Sequence, residues 1–233
     1  MKKEVLPLPD KNGIIIALPD QLSKENIRKL KKFGTFMFLY DYIQDYFVRP
    51  FIHKADAKRH HQIVADQISS VKRSRVLDVA CGTGAAIAYF DASNDYTGLD
   101  LSYAMLKEAA KKVKSGSLQT SRLVQGNAER LPFDNASFEF VLMDTALHMI
   151  PDHRSAVSEV ARVLTKGGLL VCATPALGFD SSFDAHWKKI SESRGLHAFT
   201  EAAIQELCSC NGLRYNPCGT NGGVLYFTAQ KER

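Results

Sequence analysis

The sequence predicts a doubly wound α/β fold built on a parallel sheet, and three observations carry that expectation. Arg75-Val76-Leu77-Asp78-Val79 is a short, largely apolar run that ends near a carboxylate and then turns on Gly82 and Gly84. Helix-forming Ala85-Ala86-Ile87-Ala88 follows, which makes a strand–loop–helix unit. Beyond it, apolar runs alternate with amphipathic stretches, and strands joined through helices lie parallel with right-handed crossovers.

The elements follow in order along the chain. Asn12-Gly13 signals a turn. From Ser23, the apolar residues Ile27, Leu30 and Phe33 recur at helical spacing among lysines, and Gly34 interrupts them. The aromatic-rich stretch 36–48 predicts a second helix, which Pro50 is expected to break. Residues 60–71 predict the helix that leads into the first strand, with His60 and His61 solvated. Further helices are expected over 85–90, 102–113 and 154–164. Thr200 caps another over 201–210, and Asn211-Gly212 ends it. The strands after the first are Tyr96 to Asp100, the run before Gly126, Ser137 to Asp144, and Gly167 to Pro175. Stretches 214–218 and 224–229 suit two last strands, joined at Thr220-Asn221-Gly222-Gly223 as a hairpin.

The glycine loop binds a ligand, and Asp78 indicates which. Gly82 and Gly84 give G-x-G, but Ile87 stands where a third glycine would complete a dinucleotide fingerprint. Such a loop cradles pyrophosphate with backbone N–H groups, and a carboxylate beside it repels phosphate. S-adenosylmethionine has no phosphate and carries a sulfonium and an α-ammonium, which a carboxylate attracts. Asp78 therefore favours the sulfonium cofactor over a nicotinamide one. Asp100, at the end of the second strand, suits the two ribose hydroxyls of an adenosine. The alternative is that it caps the next helix, where Ser102 serves equally well.

Five blocks in order make the chain similar to class I S-adenosylmethionine-dependent methyltransferases, most of all the branch acting in ubiquinone and menaquinone biosynthesis and its small-molecule relatives. They are Leu77-Asp78-Val79-Ala80-Cys81-Gly82-Thr83-Gly84, Gly98-Leu99-Asp100-Leu101-Ser102, Gly126-Asn127-Ala128-Glu129-Arg130-Leu131-Pro132-Phe133, Ser137-Phe138-Glu139-Phe140-Val141 and Val160-Ala161-Arg162-Val163-Leu164-Thr165-Lys166-Gly167-Gly168. The resemblance implies a Rossmann-like, mostly parallel seven-stranded sheet with an antiparallel last strand, and a helical N-terminal lid. It implies that Ala80, Gly82 and Gly84 line the methionine moiety and that Asp78 faces its ammonium. Asp100 would hold the ribose, Leu101 and Met105 would sandwich the adenine, Asn127 and Ala128 would read its edge, and Asp144 would close the methionine end. The chain departs from the pattern at Ala80, where the family often has glycine, and at Asn127, where aspartate is usual.

Acceptor-side candidates come next. His148 follows the fourth strand at the carboxyl end of the sheet, either as a general base or as a pocket wall. Phe179, His186 and Trp187 lie in the stretch after the fifth strand. Tyr40 and Tyr46 belong to the leader, which in this family often lids the pocket, and their ring faces suit a sulfonium. No metal is expected, because Thr174-Pro175-Ala176 stands where catechol-type relatives carry an Asp-Asn pair. Asp144-Thr145-Ala146-Leu147 lacks the prolines of enzymes that methylate base amino groups, which disfavours nucleic acid.

At 233 residues the chain reads as one domain, with residues 1–74 as leader and lid and 75–233 as cofactor-binding core. No apolar run approaches a membrane span. The N-terminus lacks the pattern of a secretory signal, and five irregularly spaced cysteines suit reduced thiols, so a cytoplasmic protein is expected. The net charge of +5 is concentrated in the leader, where contact with a membrane surface is an option. Methyl transfer to a quinone, lipid or secondary metabolite is the leading expectation. A non-catalytic module that binds S-adenosylmethionine as an assembly or regulatory partner is the alternative.

Overall fold

A computed structural model describes residues 6–19, 21–32 and 39–232. Strand β1 (Ile14–Ile16) comes first, then helix α1 (Lys24–Lys32) and a short helix α2 (Tyr40–Ile43). A π-helical segment (Gln44–Ile52) continues α2, and α3 (Ala57–Ile68) leads into β2 (Arg75–Val79). The core continues with β3 (Asp95–Asp100), α4 (Tyr103–Ser115), β4 (Thr120–Gln125) and β5 (Phe138–Asp144). After these come α5 (His153–Val163), β6 (Leu164–Leu177), α6 (Ser181–Arg194) and β7 (Phe199–Thr200). The chain closes with α7 (Glu201–Ser209), β8 (Leu213–Asn221) and β9 (Val224–Lys231). Most of the helices that connect strands start on a capping side chain. Asp56, Ser102, Asp152, Asp180 and Thr200 accept from the backbone N–H three residues on.

The sheet runs β1-β4-β3-β2-β5-β6-β9-β8, with β7 paired to β6 beyond the main path. Strands β1 to β6 pair in parallel, while β9 lies antiparallel to both β6 and β8. The expected seven strands are therefore present, with the last antiparallel, and two short ones are added. One of them corrects the picture of an all-helical leader: Ile14–Ile16 adds a parallel edge strand against Leu123–Gln125. A β-branched run of three suits that pleated edge.

Alternation along the strands divides the core into two layers. Leu77, Val79, Val141 and Met143 point into the layer shared with α5 and α7. Val76, Phe140 and Leu142 point into the layer shared with α3 and α4. The strand order reverses between β2 and β5, so their carboxyl ends open the crevice where doubly wound sheets bind ligands.

Three expected helix boundaries change. Pro50 does not break the leader helix; it sits inside the π-helical segment. Proline lacks an N–H and crowds the preceding turn of an α-helix, and the wider π register accommodates it. There the His53 N–H donates to the Val48 carbonyl five residues back, at 2.9 Å. Residues 85–89 form a short 3₁₀ stretch, not an α-helix. The segment after β6 contains α6, which places Trp187 in the core at 1% exposure. Expectations for Phe33, Gly34 and residues 36–38 fall outside the described residues. Among the described residues no helix is long and apolar enough to cross a membrane.

Candidate active site

The cleft at the switch point is assembled from strand ends. Asp78 on β2, Asp100 at the end of β3 and Asp144 at the end of β5 all line it, with Ala80, Gly82, Leu101, Met105, Asn127 and Ala128. Of the expected cofactor residues only Gly84 stays out of the wall. A Cβ there would stand 2.5 Å from Ile87 Cδ1 and 3.2 Å from Ala109 Cβ, so this glycine lets the loop pack on α4. Gly82, at φ +56°, has open space where a Cβ would go.

Ala80 occupies the left-handed region at φ +56°, a conformation that suits glycine better. We expect Ala80→Gly to change stability by between 0 and about 1 kcal/mol in the favourable direction. Urea unfolding measures this, and a clear loss of stability would contradict the assignment of strain.

The three carboxylates differ in their surroundings. Asp100 accepts from the Gly82 N–H at 2.9 Å and the Ser102 N–H at 2.7 Å. It thereby ties the glycine loop to the start of α4, while Ser102 itself caps the helix. Burial pushes its pKa up to about 6 against those hydrogen bonds. Asp78 is 3% exposed, and the Tyr96 hydroxyl donates to it at 2.8 Å. Burial dominates there and pushes the pKa up to about 8. Asp144 goes the other way. Burial alone would raise it, but the His60 ring 3.2 Å away and the nearby Arg49 charge hold it at about 2.

The leader closes the cleft with residues the sequence did not single out. Thr83 Oγ1 donates to Asp41, and Lys112 Nζ bonds the other oxygen of Asp41 at 2.6 Å. Asp45 bonds both Arg49 and His61, and Asp45, Arg49 and His61 all line the cleft. His60 corrects the expectation of a solvated residue. It is 1% exposed, with Nδ1 2.7 Å from the Tyr226 hydroxyl. His61 is half-buried against Asp45 and Tyr89. The spacing Asp41, Asp45, Arg49 was a legible charged stripe, whereas the burial of His60 depends on β9, far away in the chain.

A second cavity of about 970 Å³ adjoins the cleft. The two share Tyr40, Gln44, Thr145 and Met149. His148 and Trp187 line this second space, as does His53, which sequence reasoning missed. The other acceptor-side candidates lie elsewhere. Tyr46 is 60% exposed and stacks on Tyr42 at 4.3 Å, because the π register turns it to the outer face. His186 is exposed on α6 and Phe179 is 39% exposed; neither lines the cleft or the second cavity.

Comparison with known proteins agrees with this geometry. Residues 77–172 match the family described as "Methyltransferase domain". That stretch is similar to the class I S-adenosylmethionine-dependent methyltransferases. It is 38% identical over 133 residues to a demethylmenaquinone methyltransferase of Bacillus velezensis, covering 53% of this chain and 57% of that protein. A demethylmenaquinone methyltransferase of Staphylococcus epidermidis is 44% identical over 105 residues, 43% of each chain. The chain thus spans about half the length of the curated relatives it matches. Among solved structures, phosphoethanolamine N-methyltransferase 2 of Haemonchus contortus, in complex with S-adenosyl-L-methionine, superposes with a TM-score of 0.69. The identity is 16%, covering 92% of this chain and 61% of that one. The YcgJ protein of Bacillus subtilis gives 0.66 at 19% identity, covering 76% and 99%. At these identities the likeness is one of fold.

The residues of the cleft fit the cofactor of that class. Three carboxylates line it, and Asp144 Oδ1 is buried with no hydrogen-bond partner, an acceptor left for a cationic or N–H donor. Asn127 Oδ1 accepts from the Glu129 N–H at 3.0 Å, and its second lone pair remains for an adenine amino group.

Proposed function

We propose that this chain transfers the methyl group of S-adenosylmethionine to a small, largely apolar acceptor seated in the second cavity. The observation that carries the proposal is the shared wall of Tyr40, Gln44, Thr145 and Met149, which sets a donor space and an acceptor space side by side. The volume of the second cavity falls in the range of small-molecule sites. The names of the bacterial relatives favour a quinone-type ring as the acceptor.

When bound, the cofactor supplies a methyl group already activated by a sulfonium, so the chain needs mainly to align the partners and exclude water. Asp100 holds the ribose, with Leu101 and Met105 against the adenine. Asp144, Asp78 and the strained loop at Ala80 take the methionine end. Arg49 Nε is buried without a hydrogen-bond partner beside Asp45, and it suits the α-carboxylate. Tyr40 separates the two spaces, and burial together with the Asp100 charge keeps its hydroxyl protonated, with a pKa of about 12. Within the leader, α2 and the π-helical segment serve as a lid, through the Asp41 contacts with Thr83 and Lys112. His148 forms part of the acceptor wall.

Two measurements test the proposal. Asp100→Asn should weaken S-adenosylmethionine binding by about 100-fold in calorimetry, since charge-assisted hydrogen bonds to both ribose hydroxyls are lost. Incubation with S-adenosylmethionine and a metabolite extract should release S-adenosylhomocysteine, with a methylated product visible by mass spectrometry. Tight cofactor binding without any release would replace methyl transfer with the binding-module reading.

A further inference from the structure

The acceptor cavity contains a polar group that neither the fold nor the methyl transfer explains. His53 closes the π-helical segment and is 4% exposed. Its ring lies 5.6 Å from that of Trp187 and 5.9 Å from that of His148, nearly perpendicular to both, and those two rings are 5.4 Å apart. These rings form an edge-to-face cluster at the cavity wall.

His53 has aromatic contacts but no hydrogen bond from its side chain. Its backbone is fixed by the Val48 carbonyl and the Gly223 N–H, so the ring is placed with little freedom. Its Nδ1 is buried and unpartnered. An unpaired buried imidazole nitrogen carries an uncompensated desolvation cost, which a ligand hydroxyl or N–H can remove. Burial, with the Arg49 charge nearby, pushes its pKa down to about 3, so the ring stays uncharged. A neutral imidazole offers one acceptor and one donor and no countercharge. The charged side chains of the cavity, Arg28, Glu192 and Arg194, are all exposed at its mouth.

We propose that His53 is the specificity-determining residue of the acceptor site, and that the site takes an uncharged planar aromatic ring bearing a hydroxyl, which hydrogen-bonds to His53 while the ring lies in the cavity beside the cluster with His148 and Trp187. The proposal rests on the second cavity being the acceptor space. It selects, within small apolar acceptors, for a hydroxylated ring over a ring without a hydrogen-bond donor and over a cationic amine.

Trp187 is the only tryptophan of the chain, so its fluorescence reports entry into this cavity without any turnover. The probes are 1-naphthol, 1-methoxynaphthalene and 1-naphthylmethylammonium, titrated into the full chain. The proposal expects 1-naphthol to quench Trp187 at about tenfold lower concentration than the methyl ether, the worth of one buried hydrogen bond. The ammonium compound should bind more weakly than 1-naphthol. In His53→Phe the preference for the hydroxyl should fall to within about twofold, whereas His53→Gln, which keeps a hydrogen-bond acceptor, should retain part of it. Equal affinities for naphthol and its ether in the native chain, absence of quenching by either, or a preference that survives in His53→Phe would each overturn it. Calorimetry with S-adenosylhomocysteine on the same samples checks that each variant is folded. That binding also separates the two ideas, since failure of methyl transfer leaves the naphthol preference intact and the reverse holds equally.

Discussion

Asp78→Asn is expected to stabilise the cofactor-free protein at alkaline pH and to weaken its hold on S-adenosylmethionine. In the folded chain the Asp78 carboxyl is pushed up to about 8, well above its value in an unfolded chain. The folded state therefore keeps a proton that the unfolded state releases. Stability from this group is complete below about pH 4 and is lost progressively as pH rises to about 8. Asparagine still accepts the Tyr96 hydroxyl and carries no such loss. At pH 8 and above the variant should be more stable by about 2–5 kcal/mol, or roughly 5–15 °C in Tm.

Cofactor binding responds in the opposite sense. A cationic ligand favours the carboxylate, so native binding should expel a proton near neutrality and tighten as pH rises from about 6 to about 7.5. Calorimetry in buffers of different ionisation enthalpy reads that proton directly. Asp78→Asn should abolish the release and cost about tenfold or more in affinity at pH 7.5. A variant no more stable than the native chain at pH 8 would show that the buried carboxyl is not the strained group.

Gly222→Ala should be among the most damaging single-methyl additions in the chain. Gly222 sits at φ +56° in the β8–β9 turn, and a Cβ there would fall 1.8 Å from the Lys54 carbonyl oxygen and 2.4 Å from its carbon. Those atoms are backbone and cannot swing aside. Neighbouring contacts hold the same junction: the Gly223 N–H donates to the His53 carbonyl at 2.9 Å, and the Asn221 amide bonds both the N–H and the carbonyl of Asp56. Left-handed strain and overpacking together predict a loss of about 3 kcal/mol or more. Gly167→Ala is the control, at φ +75° with open space around it, and should lose only the conformational part, about 1 kcal/mol. Urea unfolding compares the two. Equal losses would mean that the turn does not press on the leader as described.

The parts of the molecule that were legible in the sequence are those fixed by local chemistry. Acid-terminated apolar runs located β2, β3 and β5, and capping residues such as Ser102 and Thr200 marked helix starts within a residue or two. The cleft proposed for the cofactor was legible for the same reason, since its wall is built from strand ends and the loops that follow them. The proposed acceptor side was not. His53 and His60 acquire their roles from contacts with α6, β9 and β5, at sequence separations that periodicity cannot report. The π register was also invisible. Pro50 argues locally for a break, and the same register sends Tyr46 outward while Gln44, Val48 and Ile52 face the second cavity. Edge strand β1 is three residues long, too short for alternation to announce it.

The N-terminal segment is moored twice: Ile14–Ile16 are stitched to the rim of the sheet, and Asp56 is clasped by Asn221 at the opposite flank. Whatever covers the nucleoside is therefore a strap with two fixed buckles and not a door with one hinge. Exchange of spent donor for fresh must slacken the span between them, and a cut between β1 and α1 would unbuckle one end and quicken that exchange.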